Sequence, residues 1–257
     1  MSIITLTTDW NKQDFYIGAL KGNILSQCEN AQIVDISHKV KTFNIPEAAF
    51  ILRNTYKHFP KGTVHIVGVK SEATEKQAHI IVKKDEHYFI GADNGIFGLM
   101  FQKKKKKIIQ ISEKPIHPTF PTLSIFSNIA CSIIEGKAID ELGIETQEMF
   151  KKIPIRPTID ESVIIGKVVY IDSFSNAITN ITKDLFYRAS DNRKFQIFVQ
   201  SNANKVNKIS KTYNESPEGE LLAIFNSLNL LEIAMNGGNA AEILSLDTNS
   251  TIRIRFK

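Results

Sequence analysis

The N-terminal part of the chain alternates between short β-rich runs and helical patterns, and this alternation constrains the fold more than any other feature. Residues 3–8 predict a strand, residues 15–26 a helix and residues 32–38 a second strand. A helix that opens at Pro46 and a nearly continuous apolar strand over residues 62–69 follow. This order predicts a mostly parallel sheet with helices packed on it.

The polar run Thr7-Thr8-Asp9 ends the first predicted strand. Ligands of open α/β sheets bind beyond the carboxyl ends of the strands, so Asp9 can accept a hydrogen bond from a ligand hydroxyl or amine there. Asp9 or Asp14 can equally serve as the cap of the helix that follows. The stretch alone leaves both interpretations open.

The pattern of predicted helices and strands changes near the middle of the chain. Residues 79–83 and 87–91 carry hairpin signals, Asp93-Asn94-Gly95 reads as a turn, and residues 124–135 predict a helix. Proline and polar residues then interrupt the periodicity, which predicts an N-terminal domain over 1–152 and a linker over 153–162. Separate β segments within 163–257 predict a small antiparallel barrel or sandwich as the C-terminal domain.

Composition narrows the class of protein. Of the 257 residues, 42% are hydrophobic and 23% charged, as in ordinary globular proteins. No run approaches the roughly 18 apolar residues of a membrane span, and no signal-peptide pattern opens the chain, so a cytoplasmic protein without a membrane partner is expected. Cys28 and Cys131 lie in apolar helical patterns and are expected to be core thiols.

The net charge of +5 depends on the run Lys103 to Lys107. Without that run the charges balance, and no basic face with interleaved aromatics is visible, so nucleic acid is not an expected partner. A solvated turn or a strand edge is the preferred interpretation of the lysines.

Further polar clusters fall in predicted loops: Asp172 to Asn176, Asn226-Ser227 and Asn236 to Ala241. Asn and Asp side chains can read a purine edge, and Phe43 or Phe174 can stack on its face, but loop formation explains the same residues. No Ser/His/Asp order, phosphate-binding glycine loop or metal cluster emerges, and His38 and His65 are expected to be core or strand-end residues.

Several short motifs occur together and in order, and they resemble one family, the S-adenosyl-L-methionine hydroxide adenosyltransferases, which also include fluorinating and chlorinating enzymes. The resemblance spans nearly the whole chain. The motifs are Thr7-Thr8-Asp9 with Asp14 and Gly18, Asp35-Ile36-Ser37-His38, Ala48-Ala49-Phe50, Phe59 to His65, Asp93-Asn94-Gly95, Asp172 to Asn176 and Gly238 to Ala241.

The resemblance implies an N-terminal α/β domain, a C-terminal β-barrel and a homotrimer with the ligand between neighbouring subunits, and it adds no cofactor or metal. It also implies attack of a nucleophile on the ribose C5′ of S-adenosylmethionine, with methionine as the leaving group. By this similarity Asp9 would hold the ribose hydroxyls and Asp172 the methionine amine. The remaining substrate-binding residues would be Phe43, Phe120 and Phe174 around the ligand, Asn176 at the adenine or ribose, and Ser227 and Asn239 on the adenine side.

The chain departs from the water-using members at three positions. Lys70 replaces an aspartate, Gln77 an arginine and Pro121 a histidine. Two unit charges about 4 Å apart interact by roughly 4 kcal/mol at an effective dielectric of 20, so an ammonium facing the sulfonium would weaken binding. Glu72, Glu75 or solvent can relieve that repulsion.

Two functional hypotheses result. The first is an S-adenosylmethionine-binding protein that hydrolyses it to adenosine and methionine. The second is a non-catalytic adenosine-binding or sensing protein, because the three water-positioning groups are replaced. Halide-using members also lack those groups, yet the context of Pro121 and Glu72-Ala73-Thr74 matches no halogenase pattern. The catalytic residues stay unassigned.

Overall fold

The computed structural model describes residues 2–11, 13–75, 77–101, 106–114 and 116–257. The chain consists of two compact units, Met1–Ile153 and Pro154–Lys257. The first unit buries apolar side chains on both faces of one sheet, and the second has a core of its own.

The first unit is built on a sheet of seven strands in the order β2-β1-β3-β5-β4-β6-β7. Its strands are β1 (Ile3–Thr8), β2 (Gln32–Ser37), β3 (Val64–Gly68), β4 (His79–Lys84), β5 (His87–Ala92), β6 (Lys107–Ile111) and β7 (Gly143–Thr146). Strands β2, β1, β3 and β5 run parallel, whereas β4, β6 and β7 pair antiparallel. The carboxyl ends of the parallel strands therefore meet at one edge.

Helices cover both faces of this sheet. They are α1 (Phe15–Gln27), α2 (Ile45–Thr55), α3 (Ile96–Phe101) and α4 (Ser127–Ile134), with 3-10 turns at Tyr56–His58 and Ile139–Glu141 and a π-helical segment at Thr122–Phe126. Helices α1 and α4 bury apolar residues against β1 and β3 on one face, and α2 and α3 pack on the other. Asn44 caps α2 by accepting a hydrogen bond from Glu47 N, as the Pro46 signal requires of a helix start there.

The expected helix over 124–135 is thus a π-helical turn followed by α4. The buried histidines behave as predicted: His38 and His65 lie in the interior, next to Thr8 and Thr5 respectively. Burial, followed by the neighbouring His87 charge, lowers the pKa of His65 to about 3, so this ring is neutral at physiological pH.

The two cysteines form a disulfide, so the expectation of separate core thiols is wrong. Cys28 follows α1 and Cys131 lies in α4, with their Cα atoms 5.8 Å apart. The two helices pack side by side on the same sheet face, and this proximity across 103 residues is not visible in local periodicity.

Only Lys106 and Lys107 of the lysine run belong to the described residues. Lys103 to Lys105 lie outside the described residues. Lys107 begins β6, which is an inner strand between β4 and β7, so the strand-edge interpretation is wrong for this residue. Its ammonium pairs with Asp140 and lies 3.6 Å from Glu145, which neutralises its charge locally.

The second unit is a barrel-like, mainly antiparallel sheet. Its strands are β8 (Thr158–Asp160), β9 (Val163–Ile171), β10 (Ala177–Thr182), β11 (Phe195–Val199), β12 (Lys205–Val206), β13 (Ile209–Ser210), β14 (Leu221–Phe225), β15 (Leu230–Met235) and β16 (Thr251–Phe256). The order is β12-β11-β16-β9-β10-β15-β14-β13, and β8 pairs with β9. Two helices, α5 (Lys183–Ser190) and α6 (Ala240–Ile243), and a 3-10 turn at Tyr213–Glu215 complete the unit.

The predicted fold class is confirmed: an α/β unit precedes a small β-barrel-like unit, although the first sheet is mixed in direction. Among the described residues, no helix combines the length and the apolar character that a membrane crossing requires.

Candidate functional site

Asp9 lies at the carboxyl edge of the parallel strands, directly after β1. Its Oδ2 accepts a hydrogen bond of 2.8 Å from the Phe43 backbone N–H, and the backbone amide of Lys70 also donates to the carboxylate. Burial raises the pKa of Asp9 above its usual 3.8, and these backbone donors oppose that rise only in part. Asp9 is therefore a half-buried carboxylate held by loops that follow two other strands.

Neither aspartate caps α1 through its side chain. Asp14 occupies the N-cap position, but its side chain makes no capping hydrogen bond. Asp9 lies outside the helix and bonds the loop before α2 instead. The helix-cap interpretation is wrong for Asp9, because its side chain finds partners that are distant in the sequence. Asp14 occupies the cap position as predicted, but without a side-chain hydrogen bond.

The two loops that donate to Asp9 have left-handed backbone at the donating residue. Phe43 has φ +60° and Lys70 has φ +46°, a region that costs a residue with a Cβ roughly 1 kcal/mol or more. Such conformations persist only where the surroundings impose them, and they cluster at binding sites. Here they point two amides at one carboxylate.

The Asp93-Asn94-Gly95 motif braces the loop after β3. Asn94 is 3% exposed, and its amide donates to the Val69 and Lys70 carbonyls at 3.0 Å each. Its Oδ1 accepts from Ile96 N, while Gly95 has φ +98° and makes the turn. The motif is a turn, as predicted, and its asparagine also holds Lys70 in position.

Three rings form an aromatic cluster beside this edge: Trp10, Tyr16 and Phe120. The Phe120 ring centroid lies 5.1 Å from both the Trp10 and the Tyr16 centroids, edge to face in each case. Phe120 is thus brought next to the residue that follows Asp9. Trp10 and Tyr16 were not among the predicted site residues, because Phe120, which both rings contact, is distant from them in the sequence.

In the second unit, Asp172 organises the loop before β10. Its Oδ1 accepts from Phe174 N at 3.0 Å and from Asn176 N at 2.8 Å, and its Oδ2 accepts from Asn176 Nδ2 at 3.1 Å. This arrangement leaves the Phe174 side chain 74% exposed. Asp172, Phe174 and Asn176 therefore form one preorganised loop.

Glu242 joins this loop to the start of α6. Its Oε1 accepts from Ser175 Oγ at 3.1 Å, and its Oε2 accepts from Asn239 Nδ2 at 2.9 Å. The Ala241 amide also donates to the Ser175 carbonyl at 2.8 Å. Asn239 is therefore brought to the Asp172 loop, and the N-x-x-E spacing of Asn239 and Glu242 is the sequence signal that indicates this link.

Ser227 lies in the exposed turn between β14 and β15. The side chain of Asn226 holds this turn, since its Oδ1 accepts from Leu228 N and Leu230 N at 3.0 and 3.2 Å. Among the described residues, no group of His, Cys, Asp and Glu is arranged to hold a metal ion.

Comparison with known proteins agrees with this geometry. Residues 4–143 match the family described as SAM hydroxide adenosyltransferase N-terminal domain, and residues 166–253 match the C-terminal domain. The chain is 33% identical to an (R)-S-adenosyl-L-methionine hydrolase of Methanocaldococcus jannaschii over 100% of this chain and 97% of that protein. The chain belongs to the SAM hydroxide adenosyltransferase family.

Other relatives extend over the same length. An (R)-S-adenosyl-L-methionine hydrolase of Thermus thermophilus is 24% identical over 99% of this chain and 100% of its own. The crystal structure of a conserved protein from Thermotoga maritima superposes with a TM-score of 0.88 at 28% identity, covering 98% of this chain and 99% of that chain. The resemblance inferred from the ordered motifs is thus confirmed.

The three residues expected to differ from the water-using members, Lys70, Gln77 and Pro121, lie in different local structures. The Lys70 side chain is exposed, although its backbone amide donates a hydrogen bond to Asp9. Gln77 pairs with Thr74 through two backbone hydrogen bonds of 3.0 and 3.1 Å. Pro121 is the residue before the π-helical segment, where its fixed φ suits a helix start.

Gly68→Ala is expected to displace Trp10. A Cβ on Gly68 would lie 2.8 Å from Trp10 Cζ2 and 3.1 Å from Thr8 Cγ2, so the free energy of unfolding should fall by about 1 kcal/mol through overpacking. Trp10 is the single tryptophan, so urea unfolding followed by its fluorescence measures both the stability and the displacement.

Gly22→Ala is the matched control. Gly22 lies inside α1 with open space around its Cα, so this change should stabilise the helix by about 0.5 to 1 kcal/mol without moving the Trp10 emission. Unchanged stability and emission in Gly68→Ala would contradict the packing of Trp10 on β3.

Proposed function

We propose that this protein hydrolyses S-adenosyl-L-methionine to adenosine and L-methionine. The observation that carries the proposal is the 33% identity to a hydrolase of this substrate over the whole chain. The geometry supports it, because a half-buried carboxylate lies at the carboxyl edge of the parallel strands, where α/β proteins bind small molecules.

The proposed reaction follows from the sulfonium group of S-adenosylmethionine. The oxygen of a water molecule attacks the ribose C5′, the bond from C5′ to sulfur breaks, and its electron pair stays on the sulfur of methionine. The attacking water loses one proton to the solvent, so adenosine, methionine and a proton are the balanced products. Positioning of the water and the substrate is therefore the main contribution that the protein makes.

In this proposal each predicted residue has a role in binding. Asp9 accepts from the ribose hydroxyls, and Asp172 accepts from the methionine amine. The rings of Phe43, Phe120 and Phe174 flank the ligand, Asn176 contacts the adenine or ribose region, and Ser227 and Asn239 lie on the adenine side. The exposure of Phe43 and Phe174, 66% and 74%, supports their availability for a ligand.

Product analysis tests the activity. Purified protein is incubated with S-adenosylmethionine, and adenosine and methionine are followed by chromatography beside a heat-killed control. Equal formation of both products supports hydrolysis, whereas a halogenated nucleoside in chloride or fluoride buffer would assign halide as the nucleophile. Absence of product would exclude the hydrolase activity. Calorimetry with adenosine would then test whether the protein is a non-catalytic binding protein.

We also propose a homotrimer with the ligand held between neighbouring subunits. The exposed apolar side chains support contact with other copies, among them Phe15, Phe43, Ile153, Ile155 and Phe174. Light scattering should report three times the 28.9 kDa chain mass. A cytoplasmic location and the absence of nucleic-acid and membrane partners stay predictions.

The pH dependence of kcat/KM should report the ionisation of the Asp9 carboxylate. The ionised carboxylate accepts hydrogen bonds from ribose hydroxyls, and burial raises its pKa, so kcat/KM should fall as the pH drops through a value above 3.8. Asp9→Asn keeps an acceptor but does not titrate, so its profile should lack this acid limb. Identical limbs in the two proteins would assign the titration to another group.

A further inference from the structure

Glu232 is a charged residue in the interior of the second unit. It lies on β15, is 2% exposed, and accepts one hydrogen bond on each carboxylate oxygen. Tyr213 Oη donates to Oε1 at 2.8 Å and Asn226 Nδ2 donates to Oε2 at 3.0 Å. Burial of a carboxylate is costly unless donors satisfy it, so both partners are held firmly by this one group.

The first partner connects Glu232 to the Ser227 turn. While Asn226 Nδ2 binds Glu232, its Oδ1 accepts from Leu228 N and Leu230 N. The amide of Asn226 is thus fixed at both ends, and Ser227 is the residue that follows it. Glu232 therefore sets the orientation of the turn that presents Ser227.

Glu232 is also linked to the Asp172 loop through the sheet. In the sheet register Glu232 lies opposite Ile178 of β10, the strand that begins directly after this loop. Burial raises the pKa of Tyr213 to about 12, helped by its hydrogen bond to Glu232 and by the negative charges of Glu232 and Asp172. The Tyr213 phenol therefore lies within the electrostatic reach of both carboxylates.

We propose that Glu232 is a positioning residue that holds the Ser227 turn and the Tyr213 phenol in register with the Asp172 loop for substrate binding. This inference rests on the proposed function, since Asp172 and Ser227 are proposed substrate contacts. Glu232 touches no substrate itself. It acts through Asn226 and Tyr213, so its removal weakens binding of S-adenosylmethionine without changing the chemical step.

Steady-state kinetics of Glu232→Gln test the inference. The amide loses one acceptor, so KM for S-adenosylmethionine should rise about tenfold while kcat stays within about threefold. The matched control is Glu220→Gln, which makes the same change at an exposed glutamate of the same unit and should leave both constants unchanged. Tyr213→Phe, at a residue 43% exposed, removes one donor and should raise KM in the same direction.

An absorbance titration at alkaline pH gives a second readout, and circular dichroism recorded at each pH shows that the proteins stay folded over the range used. The phenolate signal of Tyr213 is isolated by subtracting the titration of Tyr213→Phe. In Glu232→Gln the carboxylate charge is absent, so the pKa of Tyr213 should fall below its value in the wild-type protein, while Glu220→Gln should leave it unchanged.

The outcomes separate the two proposals. A wild-type protein that neither binds nor hydrolyses S-adenosylmethionine would overturn the proposed function. An active wild-type protein whose KM is unchanged in both Glu232→Gln and Tyr213→Phe would overturn only the positioning role. A decrease of both kcat and thermal stability in these variants, with no change in KM, would also overturn the positioning role. Glu232 would then be a structural residue.

Discussion

Asp9→Ala is expected to weaken binding of S-adenosylmethionine by about 1 to 3 kcal/mol, because ribose hydroxyls lose a half-buried acceptor. This corresponds to roughly fivefold to 150-fold in the dissociation constant. Calorimetry with S-adenosylmethionine and with adenosine measures it. Both ligands carry the ribose, so both affinities should fall by a similar factor.

Two further variants separate ligand binding from loop support. Asp9 also accepts the Phe43 amide, so Asp9→Ala disturbs the loop before α2 as well. Asp9→Asn can retain that hydrogen bond, and it should keep the loop while losing one of the ribose acceptors. Asp14→Ala removes the neighbouring exposed carboxylate, which makes no capping bond, and should leave affinity unchanged. An unchanged affinity in Asp9→Ala would exclude Asp9 from the site.

Asp172→Ala is expected to weaken binding of S-adenosylmethionine by about 2 to 3 kcal/mol, because two effects combine. The loop loses the carboxylate that binds Phe174 N, Asn176 N and Asn176 Nδ2, and the methionine amine loses its proposed partner. Adenosine lacks the methionine portion, so its affinity should fall much less. The ratio of the two dissociation constants is the measured quantity.

Asp172→Asn separates the effect of the carboxylate charge on binding from its effect on the loop conformation. The asparagine keeps an oxygen for the backbone amides, so the loop should persist while the attraction to an ammonium is lost. The control is Asp160→Ala, whose carboxylate accepts only a neighbouring amide, Glu161 N, among the bonds seen. If Asp172→Asn bound S-adenosylmethionine as tightly as the wild-type protein, Asp172 would not hold the amine.

Local pattern predicted the framework well. The alternation of β-rich and helical runs up to residue 69 gave the three parallel strands and their helices, because period and capping signals are properties of neighbouring residues. The ordered motifs identified the family, which the comparisons confirm. Strand β7 and the π-helical segment at Thr122–Phe126 were not predicted, since their short sequences carry weak periodicity.

Contacts between distant residues were not accessible in the same way. Nothing local to Cys28 indicates that it meets Cys131, and nothing in α1 indicates that Tyr16 meets Phe120. The Glu232 network was likewise missed, because a glutamate within a strand pattern reads as a solvent-facing position until its neighbours are known.

The sequence by itself determined the α/β and β-barrel classes, the family and the position of Asp9 after the first strand, because each depends on order along the chain. Only the tertiary structure decided what Asp9 is bonded to. Its partners are backbone amides of Phe43 and Lys70, and a backbone amide is the same in every residue type except proline. The residue types in the sequence therefore could not reveal these hydrogen bonds, because the bonds depend on where the sheet places the loops.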